Sequence, residues 1–111
     1  VSTRTEHARL ATVFAALSDE TRWSILTELG RADLSASALA SRLPVSRQAI
    51  AKHLSSLESA GLVEPLKVGR ELRFRALGAQ LAATARALDE IGAAWDRRLA
   101  AIKEIAESAQ E

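Results

Sequence analysis

Cysteine and methionine are both absent from this 111-residue chain, and proline occurs only twice. The lack of thiols excludes disulfides, thiolate nucleophiles, iron–sulfur clusters and sulfur-based metal or redox sensing, and it suits a reducing compartment. Without methionine, Val1 is not an initiator, and the natural chain is expected to begin upstream. No apolar run approaches the roughly eighteen residues needed to span a bilayer. The stretch from Val1 to Leu10 is too polar for a secretory signal. These absences leave the expectation of a soluble, cytoplasmic protein with no membrane partner. The length suits a single domain over residues 1–111, and 48% apolar with 26% charged residues is enough to bury a core.

The net charge is only +1, and its distribution is more informative. Residues 1–45 balance, residues 76–111 are acidic, and Ser46 to Arg75 carries Arg47, Lys52, Lys67, Arg70, Arg73 and Arg75 against Glu58, Glu64 and Glu71. The basic surplus therefore sits mid-chain.

Apolar spacing locates the elements. Leu10, Val13, Phe14 and Leu17 fall on one stripe, predicting a helix over about Glu6 to Leu17. Ser18, followed by Asp19 and Glu20, reads as the N-cap of a second helix running to about Leu29. Its inward row is Arg22, Ile25, Leu26 and Leu29, with Trp23 on the flank and Gly30 as the break. Asp33 to Ser35 forms a short link or brief strand. Ser37 then reads as the cap of a two-turn third helix, with Leu39, Ala40 and Leu43 inward. After Pro44 and Val45, Ser46 caps a fourth helix whose row is Ile50, Leu54 and Leu57, closed by Ala60 and Gly61.

The period then changes. Leu62 to Val68 and Glu71 to Leu77 are strand-like runs joined by Gly69 and Arg70, which suits a two-residue type II′ hairpin. Leu72, Phe74 and Ala76 alternate with Glu71, Arg73 and Arg75. Pro65 requires an edge strand. From Gly78 onward one long helix is expected, because the remainder holds no proline and many alanines. Leu81, Ala85, Leu88, Gly92, Trp95, Leu99, Ile102, Ala106 and Ala109 alternate spacings of four and three, and Ile91 and Ile105 widen the stripe. Such a seam packs along its length against another helix, and a helix this long points to a partner subunit.

Two short helices, a tight turn and a hairpin amount to a mainly α (α+β) winged helix-turn-helix. It would have about five helices, a two-stranded β-hairpin wing over about 62–77 and a long dimerisation helix over about 78–109. The helix-turn-helix falls at about 37–60. In that arrangement the fourth helix offers its N-terminal turn to the major groove of DNA. Removing the buried row leaves Arg47, Gln48, Ala51, Lys52 and Ser55 facing out. Arginine reads guanine, glutamine reads adenine, and Lys52 or Ser46 suits phosphate. Lys67, Arg70 and Arg73 add charge at the hairpin.

The runs FAALSDETRWSIL over residues 14–26 and SRQAIAKHLSSLESAGLV over residues 46–63 resemble the ArsR-type family of bacterial winged-helix repressors. The resemblance covers about residues 10 to 77. It implies a homodimer that binds a palindromic operator and represses transcription, with the first and last helices at the dimer interface. Candidate interface residues are then Leu10, Val13, Phe14, Leu81, Leu88, Trp95, Leu99 and Ile102. Candidate DNA contacts are Ser37, Ser46, Arg47, Gln48, Lys52, His53, Lys67, Arg70 and Arg73. Metal-sensing members carry thiolates at the third helix or Asp/His pairs on the last. Here the corresponding stretch is Asp33-Leu34-Ser35-Ala36-Ser37, and the last helix has no histidine, so no metal or other cofactor is expected. The ending with Trp95, Arg98 and Leu99 is similar to a metal-free subgroup. The resemblance assigns no small-molecule effector.

His7 lies near the terminus and is read as incidental. His53 stands beside the inward-facing Leu54, where it suits anchoring the fourth helix or touching phosphate. The alternative function is a winged-helix module that binds protein rather than DNA. An enzyme is not expected: the chain has no phosphate-cradling glycine loop and no Ser, His and acid set at motif spacing.

Overall fold

Five helices and three strands follow one another in a computed structural model that describes residues 3–109. The order is α1 (Thr3–Ala16), α2 (Glu20–Leu29), β1 (Leu34–Ser35), α3 (Ala36–Arg42), α4 (Arg47–Ser59), β2 (Val63–Val68), β3 (Glu71–Ala76) and α5 (Gly78–Ala109). The chain divides into two units, Val1–Leu81 and Ala82–Glu111. No described helix is long and apolar enough to cross a membrane.

Caps set the helix starts, and two of them correct the sequence reading. Asp19, not Ser18, caps α2: its Oδ1 accepts from the backbone N–H of Thr21 at 2.8 Å and of Arg22 at 3.2 Å. Ser18 instead donates to the Ala15 carbonyl at 2.7 Å, closing the end of α1. Likewise Ser35, not Ser37, caps α3 by accepting from Ala38 N–H at 3.1 Å. In both pairs a carboxylate or hydroxyl stood within two residues of the true cap, and sequence alone favoured the wrong one. Ser46 does cap α4, accepting from Ala49 N–H at 3.1 Å.

At its other end α4 stops in a Schellman turn. Leu62 N–H donates to the Leu57 carbonyl at 2.9 Å and Gly61 N–H to the Glu58 carbonyl at 3.0 Å. Gly61 takes φ 76°, a left-handed conformation that side chains disfavour. Leu57 and Leu62, brought together by that turn, are both fully buried.

In the first unit, Val13 and Ala16 of α1, Ile25 and Leu29 of α2, Leu39 of α3, and Ile50, Leu54 and Leu57 of α4 form one core with Leu34, Leu62 and Val63. Phe74, Ala76 and Leu81 pack against it. Val13, expected at a subunit interface, is only 2% exposed and is consumed by this core. Its stripe neighbours divide: Leu10 is half-buried and Phe14 is exposed.

The hairpin is the outer part of a three-stranded antiparallel sheet of order β1-β3-β2. The third strand goes beyond the two-stranded expectation: Leu34 pairs with Phe74 and Ser35 with Arg73. Gly69 at φ 63°, followed by a residue that is not at positive φ, fits the type II′ pattern. Pro65 lies on β2, an edge strand, so its missing N–H costs no ladder bond.

In the second unit, every residue of α5 from Leu88 to Ala109 is exposed. Leu88, Ile91, Trp95, Leu99, Ile102 and Ile105 stand out among the large apolar side chains left in solvent. The Arg98 guanidinium lies over the Trp95 ring at 5.4 Å from its centroid, a cation–π contact.

The Asp19 cap carries a pH dependence. Desolvation at the half-buried α1–α2 junction opposes ionisation. The two backbone N–H bonds, together with the electrostatic influence of His53 and Arg22, outweigh it, so the carboxyl sits below its ordinary value. A folded value below the unfolded one means that this stabilisation is complete at neutral pH and is lost as pH falls through the folded value. Urea unfolding followed from about pH 7 to about pH 3 should show an acid-side loss of stability. The Asp19→Asn variant, which keeps a capping oxygen but cannot titrate, should show a smaller loss.

Candidate nucleic-acid interface

Three buried residues at helical spacing, Ile50, Leu54 and Leu57, press one side of α4 into the core and thereby fix what the other side shows. Arg47, Gln48, Ala51, Lys52 and Ser55 are all exposed. Facing Arg47, Gln48, Ala51 and Ser55 across a groove of about 770 Å³ are Ser35, Ala36 and Ser37 at the start of α3, and Arg70, Leu72 and Phe74 of the hairpin, with Lys52 outside the lining. The groove thus gathers Ser37, Arg47, Gln48 and Arg70 from separate parts of the chain, and all four are exposed. Glu58 and Glu71 also line it.

Register sorts the hairpin's charges. Residues opposite one another on antiparallel strands share a face. Lys67 pairs with Leu72, and Pro65 with Phe74, placing Lys67 on the groove side. Arg73 pairs with Leu66 and Arg75 with Glu64, on the opposite side. The sequence reading grouped Arg73 with Lys67 and Arg70, but the strand alternation separates it from them.

Ion pairing follows the same division. Arg73 Nε contacts Glu71 Oε1 at 2.6 Å, and Arg75 Nη2 contacts Asp33 Oδ2 at 3.0 Å. The Asp33 hydrogen bonds and charge, with Glu64 nearby, hold Arg75 above its already high ordinary value. Arg31 and Arg42 share Glu28 at 3.4 and 3.3 Å. Arg47, Lys52, Lys67 and Arg70 make no ion pair with any described residue. The uncompensated cations of α4 and the hairpin are therefore those on or beside the groove. Arg47 and Gln48 begin α4, where unpaired backbone N–H groups and the positive end of the helix dipole add to the attraction for anions.

His53 takes a different place. It is half-buried, outside the groove lining, and its Nδ1 accepts from Arg22 Nε at 3.2 Å. Arg22 also donates through Nη1 to the carbonyls of Ala16 at 3.2 Å and Ala15 at 3.4 Å. One guanidinium thus ties the end of α1 to the back of α4 through His53. A partner for Arg22 was foreshadowed by a cation standing in the apolar row of α2. Trp23, exposed on the flank, donates its indole N–H to the Leu17 carbonyl. Leu72, on the apolar face marked by its alternation with charged neighbours, is 51% exposed at the groove.

Known proteins resemble the chain over this arrangement. The family described as a helix-turn-helix domain matches residues 17–65. The HTH-type transcriptional regulator Rv2034 of Mycobacterium tuberculosis is 34% identical over 93 residues, covering 84% of each chain. Among solved structures, an ArsR-like transcriptional regulator from Rhodococcus sp. RHA1 shares 74% identity with a TM-score of 0.84, over 92% of this chain and 96% of that one. The homodimeric winged helix-turn-helix DNA-binding domain of a possible ArsR-family regulator from Mycobacterium bovis shares 26% identity with a TM-score of 0.65. That match covers 89% of this chain and 91% of that one.

The Arg22–His53 link lends itself to a double-mutant cycle. Arg22→Gln and His53→Phe, singly and together in urea unfolding, should show a coupling of about 1.5–3 kcal/mol, the net worth of a hydrogen bond to a charged donor.

Proposed function

The chain belongs to the ArsR-type family of helix-turn-helix transcriptional regulators, and from that premise we propose that it is a homodimeric repressor binding an inverted-repeat operator. In this reading α4 enters the major groove, Arg47 and Gln48 meet base edges, and Ser37, Ser46 and Lys52 hold phosphates. The hairpin follows as the wing, with Lys67 and Arg70 on the adjacent backbone. Arg73 contributes charge from the wing's outer side, and His53 holds α4 in place. With DNA as its ligand, the protein would work in the cytoplasm.

The observation that carries the DNA reading is the separation of charge. Around the helix-turn-helix and the wing, Arg31, Arg42, Arg73 and Arg75 are matched by carboxylates, whereas Arg47, Lys52, Lys67 and Arg70 of α4 and the wing make no ion pair with a described residue and are left for a polyanion. The dimer reading rests on the exposed row Leu88, Trp95, Leu99 and Ile102 of α5. It is supported by the M. bovis relative, which is described as homodimeric. Phe14, exposed on α1, and the half-buried Leu10 and Leu81 are the remaining interface candidates of the first unit. A dimer of this kind reads half-sites about one helical turn apart.

Selection from a random duplex pool at low and near-physiological salt tests the reading. Enrichment of an inverted repeat is the expected result, whereas no retention at either salt would identify a protein-binding module instead. On the selected site, Arg47→Ala or Gln48→Ala should each cost about 1–3 kcal/mol and relax preference at one base pair. Arg70→Ala should weaken all duplexes alike and lower the salt slope by about 0.9, while Arg75→Ala leaves the slope unchanged. Leu88→Glu or Leu99→Glu should sediment as a monomer with weakened operator binding.

A further inference from the structure

Ala51 is an apolar position on a face otherwise built to donate and accept hydrogen bonds. It is exposed, lines the groove, and lies one helical turn beyond Arg47 and three residues beyond Gln48, with Ser55 one turn further on. Across the groove stands Leu72, 51% exposed, and at its base the buried Leu54. Resting on the DNA-binding reading above, we infer that Ala51 is a specificity-determining residue that receives the 5-methyl group of a thymine in each operator half-site.

The chemistry leaves little choice of base. The major-groove edges of guanine, adenine and cytosine present donors and acceptors, and thymine alone adds a methyl group. A polar base edge pressed against Ala51 would lose its water and gain no partner, which is costly. A thymine methyl would instead bury apolar surface on both sides. The side chain is also short enough for the α4 backbone to approach closely, which a longer residue at this position would prevent. Geometry sets the register. At about 1.5 Å of rise per residue, Ala51 lies roughly 4.5 Å from Gln48 and 6 Å from Arg47 along the helix. With base pairs about 3.4 Å apart, the thymine falls one to two steps from the base pair read by those two residues.

The test replaces each thymine of the selected half-site by deoxyuridine, which removes the methyl group and leaves base pairing intact. The intact protein should bind the substituted duplex about three- to fivefold more weakly at one position, the factor for one buried methyl. In Ala51→Gly that ratio should fall to about one, with thermal melting used to confirm folding. Ala51→Lys, a good helix former at an exposed site, should abolish the ratio as well. Leu72→Ser should leave it intact. Indifference of the wild-type protein to every substitution overturns the inference. So does a ratio that survives in both Ala51 variants, or one that is lost only in Leu72→Ser. In each of these cases specific DNA binding persists. A chain that enriches no duplex at all overturns the DNA reading itself, and this inference with it.

Discussion

The one-sided burial of α4 governs the rest of the molecule. Ile50, Leu54 and Leu57 are held in the core with almost no exposure, so the helix cannot rotate about its axis without bringing a large aliphatic side chain into water, at about 1.5–3 kcal/mol each. Two further constraints act at its ends. The Ser46 hydroxyl fixes the first turn, and the Schellman turn through Gly61 folds Leu62 back onto Leu57. Arg22 completes the restraint from behind through His53. The orientation of Arg47, Gln48 and Ala51 is therefore a property of the core, and the exposed face is pre-organised before any ligand arrives.

The hairpin shows how a modest net charge becomes a directional field. With only +1 overall, a uniform scatter of charges would attract DNA weakly. The antiparallel register instead sends Lys67 to the groove side and Arg73 and Arg75 to the other; Asp33 neutralises Arg75, and Glu71, at the edge of the groove, pairs with Arg73. Pairing on the outer side costs little, because these carboxylates and guanidiniums remain partly hydrated. Its effect is to leave a local positive surface that overall charge conceals.

Much of this was legible in the sequence. The rows Ile25–Leu29 and Ile50–Leu54–Leu57, the Ser46 cap, the Gly69–Arg70 turn and the extent of α5 all follow from spacing and turn chemistry within a few residues. What spacing could not resolve lies either in near-degenerate local choices or in long-range pairing. Asp19 and Ser18, or Ser35 and Ser37, are equally able caps, and only the final backbone decides between them. β1 is two residues long, too short for any period. The Arg22–His53 bond spans 31 residues and the Arg75–Asp33 pair 42. The outward face of α4 was evident as the complement of its apolar row, whereas the wing's two faces required the register between β2 and β3.

Ser35 has two tasks at once. Its side chain opens α3 by capping Ala38, and its backbone position pairs with Arg73 in the sheet. The wing is thus stitched to the first residue of the helix-turn-helix rather than hung from α4 by a loose loop. Force applied at the Gly69 tip travels along β3, reaches β1 within the same sheet and bears on the start of α3. The wing accordingly behaves as a lever with its fulcrum inside the domain, so a load that bends it also bears on the start of α3.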